Sequence, residues 1–213
     1  MMKTILCYGD SLTWGYDPSG PGRHAFQDRW PSALKEALGK GVRVIAEGLN
    51  GRTTAFDDFA AGSDRNGARI LPTILMSHSP LELVVIMLGT NDMKPFLCGK
   101  AIGAKQGMRR LIDIVRGHDY PMGEAAPAIL IVSPPPSCET DNPDFSLVFE
   151  GALEESAKLA RLYDRLAEEA GTGFFDAGSV AHTSPLDGVH LDADNTRAIG
   201  AGLAPIVKDM LGL

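Results

Sequence analysis

The chain has 213 residues, 44% of them hydrophobic and 22% charged, which suits one α/β domain, taken here as 1–213, and excludes intrinsic disorder. A net charge of −7 excludes the basic stripe expected of a nucleic-acid-binding protein and electrostatic docking on an anionic membrane. Cys7, Cys98 and Cys138 form no metal-like spacing, and their odd number points to reduced thiols.

The first apolar run, residues 4–8, predicts a short buried strand. This run of about five apolar or neutral residues before Gly9-Asp10 is too short for a signal-peptide core, and no apolar run approaches the ~20 residues of a membrane span. A cytoplasmic location follows as an expectation. Gly9-Asp10-Ser11-Leu12 comes directly after this strand, where a helix should begin. Residues 31–38 predict a helix with Pro31 in its first turn and Gly39 at its end. A second strand, 42–47, runs into Gly48-Leu49-Asn50-Gly51, and an irregular connection rich in Asp, Gly and Ala occupies 52–69. The third strand, 83–88, leads into Gly89-Thr90-Asn91-Asp92. A helix over 105–115 and a strand over 128–133 follow, then an irregular stretch from Ser133-Pro134-Pro135-Pro136 to Ser146. One long helix is predicted over 150–170, a fifth strand over 174–176, and a last helix over 195–210 after Asp187-Gly188-Val189-His190. Alternating β and α elements predict a three-layer α/β/α, doubly wound fold with five parallel strands. Its functional crevice should lie outside the carboxyl ends of the strands. Ser11, Gly51 and Asn91 all follow such ends.

Serine is a weak nucleophile and needs a base to take its proton. His190 is the candidate base. Asp187, three residues earlier in a turn begun by Asp187-Gly188, can place its carboxylate beside the imidazole and stabilise the imidazolium. Acyl transfer also needs donors aimed at a developing oxyanion. The backbone N–H groups of Ser11 and Gly51 and the Asn91 side-chain amide are the candidates. Alone, Asn50-Gly51 reads as a tight turn and Asn91-Asp92 as a helix cap. Their placement after consecutive strands raises both above those readings.

In order and over nearly the whole chain, Gly9-Asp10-Ser11-Leu12, Gly51, Gly89-Thr90-Asn91-Asp92 and Asp187-Gly188-Val189-His190 resemble the four blocks of the SGNH (GDSL) hydrolase superfamily. Stretches such as Leu12-Thr13-Trp14-Gly15 and Glu47-Gly48-Leu49-Asn50-Gly51-Arg52 are similar to its bacterial arylesterase and acyltransferase/perhydrolase branch. The resemblance implies a flavodoxin-like fold, a Ser11–His190–Asp187 triad, an oxyanion hole of Ser11, Gly51 and Asn91, and a homo-oligomer that in this branch is an octamer.

Four further residues are assigned to the pocket. Asp10 is read as bonding backbone N–H groups, with acid–base work as the alternative. Trp14 lines the pocket or packs in the core. Lys94 and Phe96 stand at the pocket mouth, a solvated surface being the favoured reading for Lys94. His24, His78, His118 and His182 lack ligand spacing, so neither metal nor cofactor is expected. The G-x-S-x-G elbow of α/β-hydrolases is absent. The expected activity is hydrolysis of small short-acyl aryl or alkyl esters through an acyl-enzyme, with alcohols or peroxide able to replace water. A carbohydrate acetyl esterase, lysophospholipase or thioesterase with the same triad is the alternative, and a noncatalytic binding domain is the non-enzyme reading. The expected partner is a small ester, with no nucleic acid and no membrane.

Overall fold

A computed structural model describes residues 2–20 and 22–213. Five parallel strands form the sheet: β1 (Lys3–Gly9), β2 (Val42–Gly48), β3 (Leu83–Met87), β4 (Ala128–Ser133) and β5 (Gly173–Asp176). Their order is β2-β1-β3-β4-β5, the doubly wound arrangement expected from the alternating pattern. The chain moves from β1 outward to β2, then returns across β1 to β3. That reversal puts a crevice at the carboxyl ends of β1 and β3.

The eight α-helices of the described residues are α1 (Ser11–Trp14), α2 (Trp30–Leu38), α3 (Gly67–His78), α4 (Ala101–Gly117), α5 (Pro143–Val148), α6 (Ala152–Ser156), α7 (Leu159–Ala170) and α8 (Ala193–Leu211). Side chains alternate across the sheet, as a period of two requires. Leu6, Tyr8, Val84, Ile86, Ile129 and Ile131 enter one core with α3, α4 and α7. Ile5, Cys7, Val85, Met87, Leu130 and Val132 enter the other with α2 and α8. Each fully buried Leu or Ile stabilises the fold by about 1.5–3 kcal/mol relative to exposure. Both faces of the central strands are buried, which is why they read as continuous apolar runs. Trp30 is fully buried, and its indole N–H donates to Thr13 Oγ1 at 3.2 Å. This bond ties α2 to the short helix that carries Ser11.

Three stretches differ from expectation. The irregular stretch expected to run to Ser146 gives way to α5 at Pro143, because Asn142 Oδ1 accepts from the Asp144 and Phe145 N–H groups and caps a helix there. The single helix over 150–170 is broken into α6 and α7. Side chains at the break serve other parts of the fold: Glu155 accepts from the Ala101 N–H at 2.9 Å, capping α4, and Ser156 Oγ accepts from the Ser137 N–H at 2.9 Å. The connection over 52–69 ends in α3, whose Gly67 and Pro72 are poor helix residues. Burial of Leu71 and Leu75 and the Asn66 cap on the Arg69 N–H outweigh that propensity.

Candidate active site

Ser11 is the first residue of α1, immediately beyond β1. The side chain of Asp10 caps this helix, Oδ1 accepting from the Leu12 N–H at 3.0 Å. From the loop before α8, Asp187 Oδ1 accepts from the backbone N–H groups of Val189 at 2.9 Å and His190 at 2.8 Å. Such an Asx turn closes on a short polar side chain. Gly188 lies within it at φ +78°, where a Cβ would also come within 2.6 Å of the Cys138 carbonyl oxygen. The turn brings Asp187 Oδ2 to 2.7 Å from His190 Nδ1, and His190 Nε2 to 2.9 Å from Ser11 Oγ. With Nδ1–H donating to Asp187, Nε2 is left to accept the Ser11 proton. Burial raises the Asp187 pKa, but its bonds from His190 and the two backbone N–H groups outweigh that and hold it below the ordinary value. The imidazole ring lies between Tyr16, at 4.1 Å between centroids, and Phe145, at 5.7 Å.

The turn after β2 holds Gly51 at φ +82°, a conformation natural to glycine. Among the described residues, the N–H groups of Ser11 and Gly51 donate to no protein acceptor. Asn91, after β3, donates from Nδ2 to the Arg52 carbonyl oxygen at 3.2 Å and to Asp10 Oδ2 at 3.3 Å. Both are long contacts, so an incoming oxyanion can compete for an Asn91 hydrogen. Buried Arg52 lies over the Tyr8 ring at 4.1 Å and donates to the carbonyls of Gly9, at 2.7 Å, and Glu47. It thereby joins the ends of β1 and β2. Burial pushes Asp10 up to about 7, despite the Leu12 N–H. Burial likewise pushes Asp92 to about 6, despite its hydrogen bonds from Thr54.

Residues 7–198 match the GDSL-like lipase/acylhydrolase family. The chain belongs to that family. Solved structures agree with this assignment. The chain is similar to a carbohydrate acetylesterase family member from Sinorhizobium meliloti, with 64% identity, a TM-score of 0.98 and 100% of both chains covered. It is also similar to the native aryl esterase of M. smegmatis, with 42% identity and a TM-score of 0.93 over 98% of this chain and 99% of the other. A carbohydrate acetylesterase from Sinorhizobium meliloti matches at 39% identity with a TM-score of 0.92, over 98% of this chain and 99% of that one. No curated protein matches. This GDSL hydrolase is therefore a carboxylic ester hydrolase of the SGNH superfamily.

In the GDSL hydrolase, Ser11, Gly51, Asn91 and His190 face one cavity of about 210 Å³. Its remaining walls include Tyr16, Asn50, Lys94, Phe145 and Phe149. The pocket assignments made from sequence divide here. Lys94 does line the cavity and is half-buried, against the favoured reading of a solvated surface, because the turn after Asn91 folds its stem towards Phe149. Asp10 lies beneath the wall, bonded to Leu12 and Asn91. Trp14 is turned away under the Arg23 guanidinium, 4.6 Å from the ring centre. Phe96 is 62% exposed and lines no part of the cavity. A second cavity of about 530 Å³ lies beyond Phe145 and Phe149, over Asp187 and Gly188, and neither Ser11 nor His190 reaches it.

Sequence reasoning missed Tyr16, Phe145, Val148 and Phe149. One signal for the last three was present: Asn142-Pro143 is a cap followed by a first-turn proline, and 145, 148 and 149 share a helical face. Among the described residues, no cluster of His, Cys, Asp and Glu could hold a metal ion, and no helix is long and apolar enough to cross a membrane.

Proposed function

We propose that this GDSL hydrolase cleaves small short-acyl aryl or alkyl esters through an acyl-enzyme on Ser11. One observation carries the reading. The continuous Ser11–His190–Asp187 chain of hydrogen bonds opens into the same small cavity as Gly51 and Asn91. Ser11 Oγ attacks the ester carbonyl carbon as His190 Nε2 takes its proton. Asp187 keeps Nδ1–H in place and stabilises the imidazolium. The negative oxygen of the tetrahedral intermediate is met by the Ser11 and Gly51 N–H groups and by Asn91 Nδ2–H. His190 returns the proton to the leaving alcohol oxygen as the C–O bond breaks. Water then attacks the acyl-serine, losing its proton to His190, and the carboxylic acid leaves as Ser11 recovers its proton. An alcohol in place of water yields a new ester, and hydrogen peroxide yields a peracid.

The preference for short acyl groups follows from size. About 210 Å³ is below the ~300–1,000 Å³ of pockets that take drug-sized ligands. Acetyl and butyryl aryl esters should be cleaved well and palmitoyl esters poorly; a palmitoyl preference contradicts the reading. Ser11→Ala should reduce kcat by about 10⁴-fold or more with circular dichroism unchanged. A fluorophosphonate probe should label the wild type at Ser11 and leave the variant unlabelled. Turnover near wild type in Ser11→Ala removes the assignment.

A second reading is supported by the carbohydrate acetylesterase descriptions of two similar structures. In it the leaving alcohol is a sugar hydroxyl. Acetate release from an acetylated xylo-oligosaccharide, compared with phenyl acetate at equal concentration, separates the two.

A further inference from the structure

Lys94 is the one lysine or arginine among the residues that line the Ser11 cavity. Lys100, Lys105 and Lys158 each pair with a glutamate, whereas Lys94 has no carboxylate within 4.0 Å among the described residues. Its ammonium makes no hydrogen bond in the described structure; the contact it has is the Phe149 ring, 5.5 Å from Nζ to the centroid. The Lys94 side chain is half-buried, so its ammonium is partly withdrawn from water with no protein acceptor to replace it. Burial accordingly lowers its pKa, and the groups facing it are Asp58, Asp10 and Asp92, with Arg65 of like charge. Asp10 and Asp92 are engaged behind the wall by Leu12, Asn91 and Thr54. Asp144 lies on the rim and is exposed. Asn50 lines the same cavity and makes no side-chain hydrogen bond; its Oδ1 is buried without a partner. The site thus presents an unpaired cation beside the nucleophile, while the free Asn50 Oδ1, an acceptor, is suited to a hydroxyl or N–H rather than to an anion.

We infer that this pocket selects esters whose unreactive end carries a carboxylate, which the unpaired Lys94 ammonium binds. The inference rests on Ser11 being the nucleophile. The competing role for Lys94 is a counter-charge to Asp10 and Asp92, which would affect all esters alike.

Two matched pairs test it. On the alcohol side, 4-acetoxybenzoate is compared with neutral 4-acetoxybenzamide; on the acyl side, monoethyl succinate with ethyl butyrate. A charge-assisted hydrogen bond in this half-buried site is expected to favour the anionic member by about tenfold in kcat/KM in at least one pair. Lys94→Gln should remove that preference, and Lys94→Arg should retain most of it. Inhibition by 4-hydroxybenzoate against 4-hydroxybenzamide gives a readout independent of turnover, with the anion expected to bind more tightly to the wild type than to Lys94→Gln. No anionic preference in either wild-type pair, or an equal fall for both members in Lys94→Gln, overturns the inference while leaving the esterase reading standing. Failure of the wild type to cleave any of the four esters overturns both.

Discussion

Replacing Asp10 by Asn separates the electrostatic cost of this buried carboxylate from its structural use. Asp10 is 1% exposed, and burial moves its pKa from 3.8 to about 7. At 1.36 kcal/mol per pH unit, the difference amounts to about 4 kcal/mol. The sign follows from proton counts. Between pH 4 and 7 the folded state holds a proton that the unfolded chain has lost, so stability falls as pH rises through that window. An asparagine keeps the acceptor for the Leu12 N–H and has no charge to bury. It also turns an N–H₂ towards Asn91 Nδ2 in place of the 3.3 Å acceptor, a loss that is independent of pH. The stability of Asp10→Asn relative to wild type should therefore rise by about 3–4 kcal/mol between pH 4 and pH 8. Urea denaturation at half-unit pH intervals measures this directly. A stability difference that stays flat across the range, or moves the other way, refutes the reasoning. Because Asn91 loses one of its anchors, kcat should also fall, by up to about tenfold.

Other perturbations test the remaining parts of the site. In Asp187→Asn, an amide cannot accept all three bonds from Val189, His190 N–H and Nδ1–H, so the imidazole takes the wrong tautomer and kcat should fall on the order of 10⁴-fold; steady-state kinetics with thermal melting checks that the fold persists. Asp187 is held below the ordinary carboxylate pKa, so its stabilisation is present at neutral pH and lost only below about 3.8, as pH falls through its folded value. The stability difference between wild type and Asp187→Asn, measured by urea denaturation at each pH, should therefore be present above that pH and shrink below it. Asn91→Ala should lower kcat by about 10²–10³-fold with a smaller change in KM, as for loss of one oxyanion donor. A change confined to KM would place Asn91 in ground-state binding instead. Phe149→Ala opens the wall between the two cavities, so butyryl and longer acyl esters should gain relative to acetyl in kcat/KM.

Much of the architecture is legible in local pattern. The five strands are short apolar runs because both sheet faces are covered, and each is found at its expected place to within a residue or two. The break between α6 and α7 was hidden because Glu155 and Ser156 are good or neutral helix residues whose partners, Ala101 and Ser137, are remote in sequence. Helix α3 was obscured in the opposite sense: Gly67 and Pro72 argue locally for a loop, and only the buried contacts of Leu71 and Leu75 reveal the helix.

The site divides along the same physical line. Asp187 and His190 meet through a three-residue turn, so their pairing is a local property of the sequence. Ser11 and His190 are 179 positions apart, and their contact at 2.9 Å exists because the loop before α8 returns to the end of β1. Gly51 and Asn91 join them because the strand order β2-β1-β3 places three carboxyl ends side by side. Sequence alone therefore determined which residues are candidates for the acyl chemistry, since a nucleophile, base, orienting carboxylate and amide must each be a particular residue type. Tertiary structure alone decided the cavity around them. Tyr16, Phe145 and Phe149 became its walls, Trp14 was turned away and Lys94 was drawn in, because those positions are set by packing between segments that share no local pattern.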